Sequence, residues 1–125
     1  MVTRYFTLDE ANALLREIRP LMRQLLDRRG KVARMRDQIL PLIEDYHLDV
    51  GGPVASELTL DFITIEYLTE KIQSYGCVIK DLNAGLLDFL TERDGREVYL
   101  CWRYGEDRIE YYHELHTGYN GRQPV

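Results

Sequence analysis

The chain's 125 residues are enough for one domain, residues 1–125, with a real core. With 45% hydrophobic and 30% charged residues, and no apolar run near the ~18 residues of a membrane span, it reads as a soluble protein with no membrane partner. The net charge of −5 hides a basic stretch: Arg16, Arg19, Arg23, Arg28, Arg29, Lys31, Arg34 and Arg36 stand against Glu17 and Asp27, leaving the rest strongly acidic.

The opening MVTRYFTLDEANALL has acidic residues and no signal-type apolar block, so the cytoplasm is the expected location. Within it, Thr7 and Glu10 have the spacing of a capping box and announce a helix. Apolar residues then recur at Ala11, Leu14, Ile18, Leu21, Leu25, Val32, Met35, Ile39, Leu42 and Tyr46, with Arg28 in the one vacant place. Steps of three and four give the period of helices packed in a coiled-coil manner. Pro20 is expected to kink the helix, and Gly30 and Pro41 are further weak points.

HLDVGGPVAS reads as a loop. A second helix, about half the length of the first, follows with Leu58, Phe62, Ile65, Leu68, Ile72 and Tyr75 on its inner stripe and Gly76 as its stop. The expected fold is α+β: a long antiparallel helical hairpin, coiled-coil-like, over about 7–75, then a small three- to four-stranded antiparallel β-meander and tail over about 77–125. Unequal arms leave apolar surface on the long helix for the sheet or a second copy to cover.

GCVIKDL is a short β-like segment, and the next strands are set by two turns. Asp94-Gly95 suits a type I′ hairpin, and Gly105-Glu106 suits a II′ turn. In that register Leu87, Phe89, Thr91, Val98, Leu100, Trp102, Ile109, Tyr111 and His113 share the core face. Asp88, Leu90, Glu97, Tyr99, Cys101, Arg103, Arg108, Glu110, Tyr112 and Glu114 share the other.

HELH at 113–116 lacks the i, i+4 histidine spacing of a HExxH zinc helix, and in a strand His113 and His116 point to opposite faces. His113 therefore reads as a hydrogen-bonded core residue. Its alternative role is acid, base or ligand in a pocket with Asp81, Arg103 and Arg122. A metal at His113 would need ligands from elsewhere, such as Asp81, and no cofactor or metal is expected. Asp88, Cys101 and Glu110 form a row on the outer face; cross-strand ion pairs are the ordinary reading, a cation or acid–base site the other. Cys77 and Cys101 form neither a disulfide framework nor a CxxC knuckle and read as small buried hydrophobes. The tail, HTGYNGRQPV, is expected to fold back and pair Arg122 with a carboxylate.

YFTLDEANALL, VIKDLNAGLLDF and YLCWRYGEDRIEYYHELHTGYNGRQPV together resemble the bacterial family catalogued as domain of unknown function 2203. The specific part is LCWRxGE followed by HE, GY and GRxP. The resemblance implies a small single domain with a helical hairpin before a β-rich end. It implies no activity, cofactor or partner, and no catalytic residue is carried over. It draws attention to Asp81, Asp88, Trp102, Arg103, Glu106, His113, Gly118, Gly121 and Arg122.

The expected function is a non-enzymatic interaction or structural module, homodimeric through its long helix, with an unknown protein partner. A metal- or small-molecule-dependent enzyme with a pocket at His113 is the alternative. Nucleic-acid binding through Arg16–Arg36 comes third, because no aromatics interleave the arginines and the domain is acidic.

Overall fold

The computed structural model describes residues 3–46 and 53–125. Two helices, α1 (Leu8–Tyr46) and α2 (Pro53–Gln73), precede five strands: β1 (Val78–Asp81), β2 (Leu86–Arg93), β3 (Arg96–Arg103), β4 (Tyr111–Glu114) and β5 (Gln123–Pro124). A single 3₁₀ turn, Tyr119–Gly121, leads into β5. The antiparallel sheet has the order β1-β2-β3-β4-β5, so the architecture is α+β. It has five strands rather than three to four, because the tail adds one against β4.

The capping box forms at the start of α1. Glu10 N–H donates to Thr7 Oγ1 at 3.1 Å, and Thr7 N–H donates to Glu10 Oε1 at 3.0 Å. The Thr7 backbone N–H, and then the Thr7 hydroxyl, hold the Glu10 carboxyl below its usual range. The helix runs through Pro20 and Gly30 without interruption. Its buried stripe is Ala11, Leu15, Ile18, Met22 and Leu25, with Leu14 and Leu21 partly buried beside it. The three–four spacing holds, but the centre of the face is turned by one residue from the stripe read in the sequence. Stripe positions Ile39, Leu42 and Tyr46 lie outside the residues whose side chains are described, and most of the loop read before α2 lies outside the described residues.

Leu68 and Ile72 of α2 are buried against this stripe. Beyond the apolar core, Arg28 of α1 binds buried Asp61 of α2 at 2.7 Å, and Lys31 reaches Asp61 at 3.2 Å and Glu57 at 2.9 Å. Arg28, which fills the vacant apolar place, is thus the partner of a buried carboxylate and holds the Asp61 carboxyl below its usual range. Phe62 is the exception on α2: expected inside, it is exposed.

The first hairpin has the expected register, with Leu87 opposite Trp102, Phe89 opposite Leu100 and Thr91 opposite Val98. Asp94 (φ 52°) and Gly95 (φ 80°) both take the positive φ that a type I′ turn requires. Leu87, Phe89, Val98, Leu100 and Trp102 enter the core that the helices cover.

The second connection differs. Glu106 N–H donates to Arg103 O at 3.0 Å, so Gly105 (φ 104°) is the third residue of its turn, as in type II, and not the first central residue of a II′ hairpin. Glu106 Oε1 then accepts from Arg103 N–H at 2.6 Å, Trp102 Nε1–H donates to Glu106 O at 2.9 Å, and Ile109 N–H donates to Asn12 Oδ1 at 2.7 Å. The connection is thereby tied to α1 instead of closing tightly. Pairing resumes with Cys101 opposite Tyr111, Leu100 opposite Tyr112 and Tyr99 opposite His113. That is a one-residue slip from the expected register, and it inverts β4. Tyr112 joins the core face, while His113 moves to the other face of the sheet.

Candidate functional site

The inverted strand creates a site absent from the sequence reading. The first hairpin sets Asp88 beside Cys101 on the face away from the helices. His113 now points to that face, and its Nε2 lies 3.0 and 2.9 Å from the two carboxylate oxygens of Asp88. The ligand atoms of Asp88, Cys101 and His113 all lie within 4.8 Å of one another. Asp88 is 1% exposed, Cys101 0% and His113 2%.

The C-terminal segment makes that burial possible. Thr117 N–H donates to Glu114 O at 3.2 Å and Gly121 N–H to Gly118 O at 3.0 Å, winding the chain back over the sheet. A Cβ on Gly121 would come 2.5 Å from Thr117 Cβ, so only glycine fits that fold. Arg122 is clamped between Tyr111 and Tyr119, with ring centroids 4.2 and 4.7 Å from its guanidinium carbon. Its Nη2 binds Glu106 at 2.7 Å and the carbonyl of Cys101 at 3.3 Å. The tail thus pairs Arg122 with a carboxylate, through a partner on the β3–β4 connection.

A cavity of about 250 Å³ opens under the 115–119 segment, lined by Asp88, His113 and His116 together with Lys80, Leu86 and Tyr119. Strand β4 ends at Glu114, so the alternation that would separate the two histidines stops before His116. Both line the same cavity.

Of the residues picked from the sequence, Asp88, Cys101 and His113 come together. Glu110 does not join them: it precedes β4, is exposed, and faces Arg108 at 3.7 Å. Asp81 is exposed and accepts backbone N–H groups of Asn83 and Ala84 in its own loop. Arg103 is exposed, its guanidinium carbon 5.8 Å from the Tyr119 ring centroid. Neither lines the cavity.

Burial and the adjacent Asp88 charge push the Cys101 thiol up to about 12. It is therefore a poor nucleophile by itself, since the thiolate is the reactive form. Cys77, also pushed up to about 12 by burial, donates to Ile72 O in the helical core.

A second feature lies on α2. Leu60, Phe62, Ile63 and Tyr67 are 57–63% exposed. Leu60, Ile63 and Tyr67 follow three- and four-residue spacing and form one stripe, while Phe62 points about 100° further round the helix. Phe62, expected on the inner face, is part of the exposed apolar surface of α2. Of the basic stretch on α1, Arg28 and Lys31 are engaged by Asp61 and Glu57, while Arg19 donates to the carbonyls of Glu106 and Asp107. No helix among the described residues is long and apolar enough to cross a membrane.

Two helices laid on one face of an antiparallel meander, with a polar cluster buried on the other, give an α+β architecture. The chain belongs to the family described as "Uncharacterized conserved protein (DUF2203)", whose profile matches residues 4–125. No curated protein and no solved structure matches it.

Proposed function

We propose that the chain is a cytoplasmic, non-enzymatic interaction module that binds a second copy of itself through its helical half. The exposed stripe of α2 carries this reading: Leu60, Ile63 and Tyr67, 57–63% exposed, share one side of the helix within about two turns, with Phe62 exposed further round. Isolated exposed apolar residues are ordinary, but a contiguous group is characteristic of a protein-contact surface. In this reading α1 and α2 are arms of an antiparallel, coiled-coil-like hairpin, and the short arm, rather than the long helix expected from the sequence, meets the second copy. The buried stripe of α1 is already engaged within the chain. Exposed Glu66 and Glu70 rim the α2 surface, and exposed Arg23, Arg34 and Arg36 on α1 offer a second copy complementary charge.

The internal engagement of Arg19, Arg28 and Lys31 weakens the nucleic-acid alternative. A photo-crosslinking residue in place of Tyr67 tests the surface. Mass spectrometry is expected to map crosslinked dimers to the helical half of the second copy. Absence of crosslinked dimer at high protein concentration, with the folded state retained, counts against this interface.

A further inference from the structure

We propose that Asp88, Cys101 and His113 are the protein ligands of one divalent transition-metal ion, zinc foremost, whose fourth position opens onto the cavity beneath residues 115–119. This goes beyond the interaction surface on α2 and stands whether or not the chain dimerises.

The hydrogen bonds around His113 supply the first reason. Its Nδ1 lies 2.7 Å from the carbonyl oxygen of Glu114, which can only accept, so Nδ1 carries a proton. That leaves Nε2 directed at both oxygens of Asp88, at 3.0 and 2.9 Å. A bare Nε2 lone pair facing a carboxylate is repulsive, so a positive centre belongs between them: a proton or a metal ion. The orientation is that of a metal-binding imidazole, with the remote nitrogen fixed by a backbone carbonyl and the near one free to ligate.

The charge balance of a buried site is the second reason. A divalent ion bound to neutral His113, the Asp88 carboxylate and the Cys101 thiolate leaves the cluster neutral. Such a complex adds no uncompensated charge to a site only 0–2% exposed. Coordination requires the Cys101 thiolate, so binding releases the thiol proton.

Donor type and geometry agree. One sulfur, one imidazole nitrogen and one carboxylate oxygen suit borderline-soft zinc. Tetrahedral zinc at about 2.0 Å from N and O and about 2.3 Å from S separates its ligands by roughly 3.3–3.6 Å. The three donors already lie within 4.8 Å of one another, so loading opens the His113–Asp88 contact by a few tenths of an ångström and draws Cys101 inward. Asp88 and His113 line a cavity shared with Lys80, His116 and Tyr119, which gives a fourth position room for water or a small ligand.

The test uses untagged, full-length protein titrated with Co²⁺, monitoring ultraviolet–visible absorption and proton release. We expect one ion per chain, net proton release on binding, and a thiolate-to-cobalt charge-transfer band. The band should persist in Cys77→Ser. In Cys101→Ser it should disappear, and affinity should fall at least about tenfold. Asp88→Asn should weaken binding while retaining the band. Circular dichroism verifies the fold of each variant, and near-isosteric Cys101→Ser keeps the test valid if larger changes unfold the chain. Folded wild-type protein with no charge-transfer band in excess Co²⁺, or a band that survives Cys101→Ser, would overturn the proposal.

Discussion

The two halves depart from the usual distribution of polar and apolar groups in opposite directions. The sheet half buries Asp88 and His113 on the face where an antiparallel sheet backed by helices ordinarily meets water. The helical half instead leaves Leu60, Phe62, Ile63 and Tyr67 in solvent. Burial of an ionisable pair is costly unless each member is satisfied, and exposed large side chains gain nothing from folding until something covers them. The difference separates an internal cluster covered by the chain's own tail from an apolar surface left in solvent.

Breaking the buried pair gives the largest expected effect. His113→Ala should destabilise the fold by about 3–5 kcal/mol in urea unfolding, because Asp88 loses its buried partner. The Asp88→Ala/His113→Ala double variant should cost less than the two single changes added together, which is the signature of direct coupling. Additive costs would mean that the two side chains act separately.

Asn12→Ala comes next. It removes the acceptor for Ile109 N–H and should cost about 1–3 kcal/mol in the same measurement. It also tests whether the tether from α1 fixes the β4 register that places His113 beside Asp88.

The thiols give a pH-dependent contrast. Burial raises the Cys77 and Cys101 pKa values from 9.0 to about 12, so folding favours the protonated thiols. Their stabilising effect is complete below pH 9 and is lost as pH rises toward about 12. Urea unfolding across this interval should show falling stability. At pH 8 both thiols should resist alkylation in the native protein and react after unfolding.

Ile63→Lys should have the smallest effect on the fold, within about 0.5 kcal/mol by urea unfolding of the monomer, because the side chain is 57% exposed. A large loss of monomer stability would show that the α2 stripe supports its own domain rather than a partner.

Much of this arrangement is legible in local residues. Asp94 and Gly95 determine the first hairpin, and with it the neighbouring positions of Asp88 and Cys101. Gly105 is ambiguous, since its positive φ fits either the first central place of a II′ turn or the third place of type II. Asn12, distant in sequence, helps fix the connection that follows, so the position of His113 is not evident from its own neighbourhood. On α1 the doublets Leu14-Leu15, Leu21-Met22 and Leu25-Leu26 permit the apolar face to turn by one residue without breaking its period. On α2 apolar residues lie on several sides, and packing leaves Phe62 in solvent.

Sedimentation velocity of the wild type and Ile63→Lys across a wide concentration range tests the central claim most directly. The wild type should pass from monomer to dimer as concentration rises, while the variant stays monomeric and folded. A wild type that remains monomeric throughout, or a variant that dimerises equally well, would contradict self-association through α2.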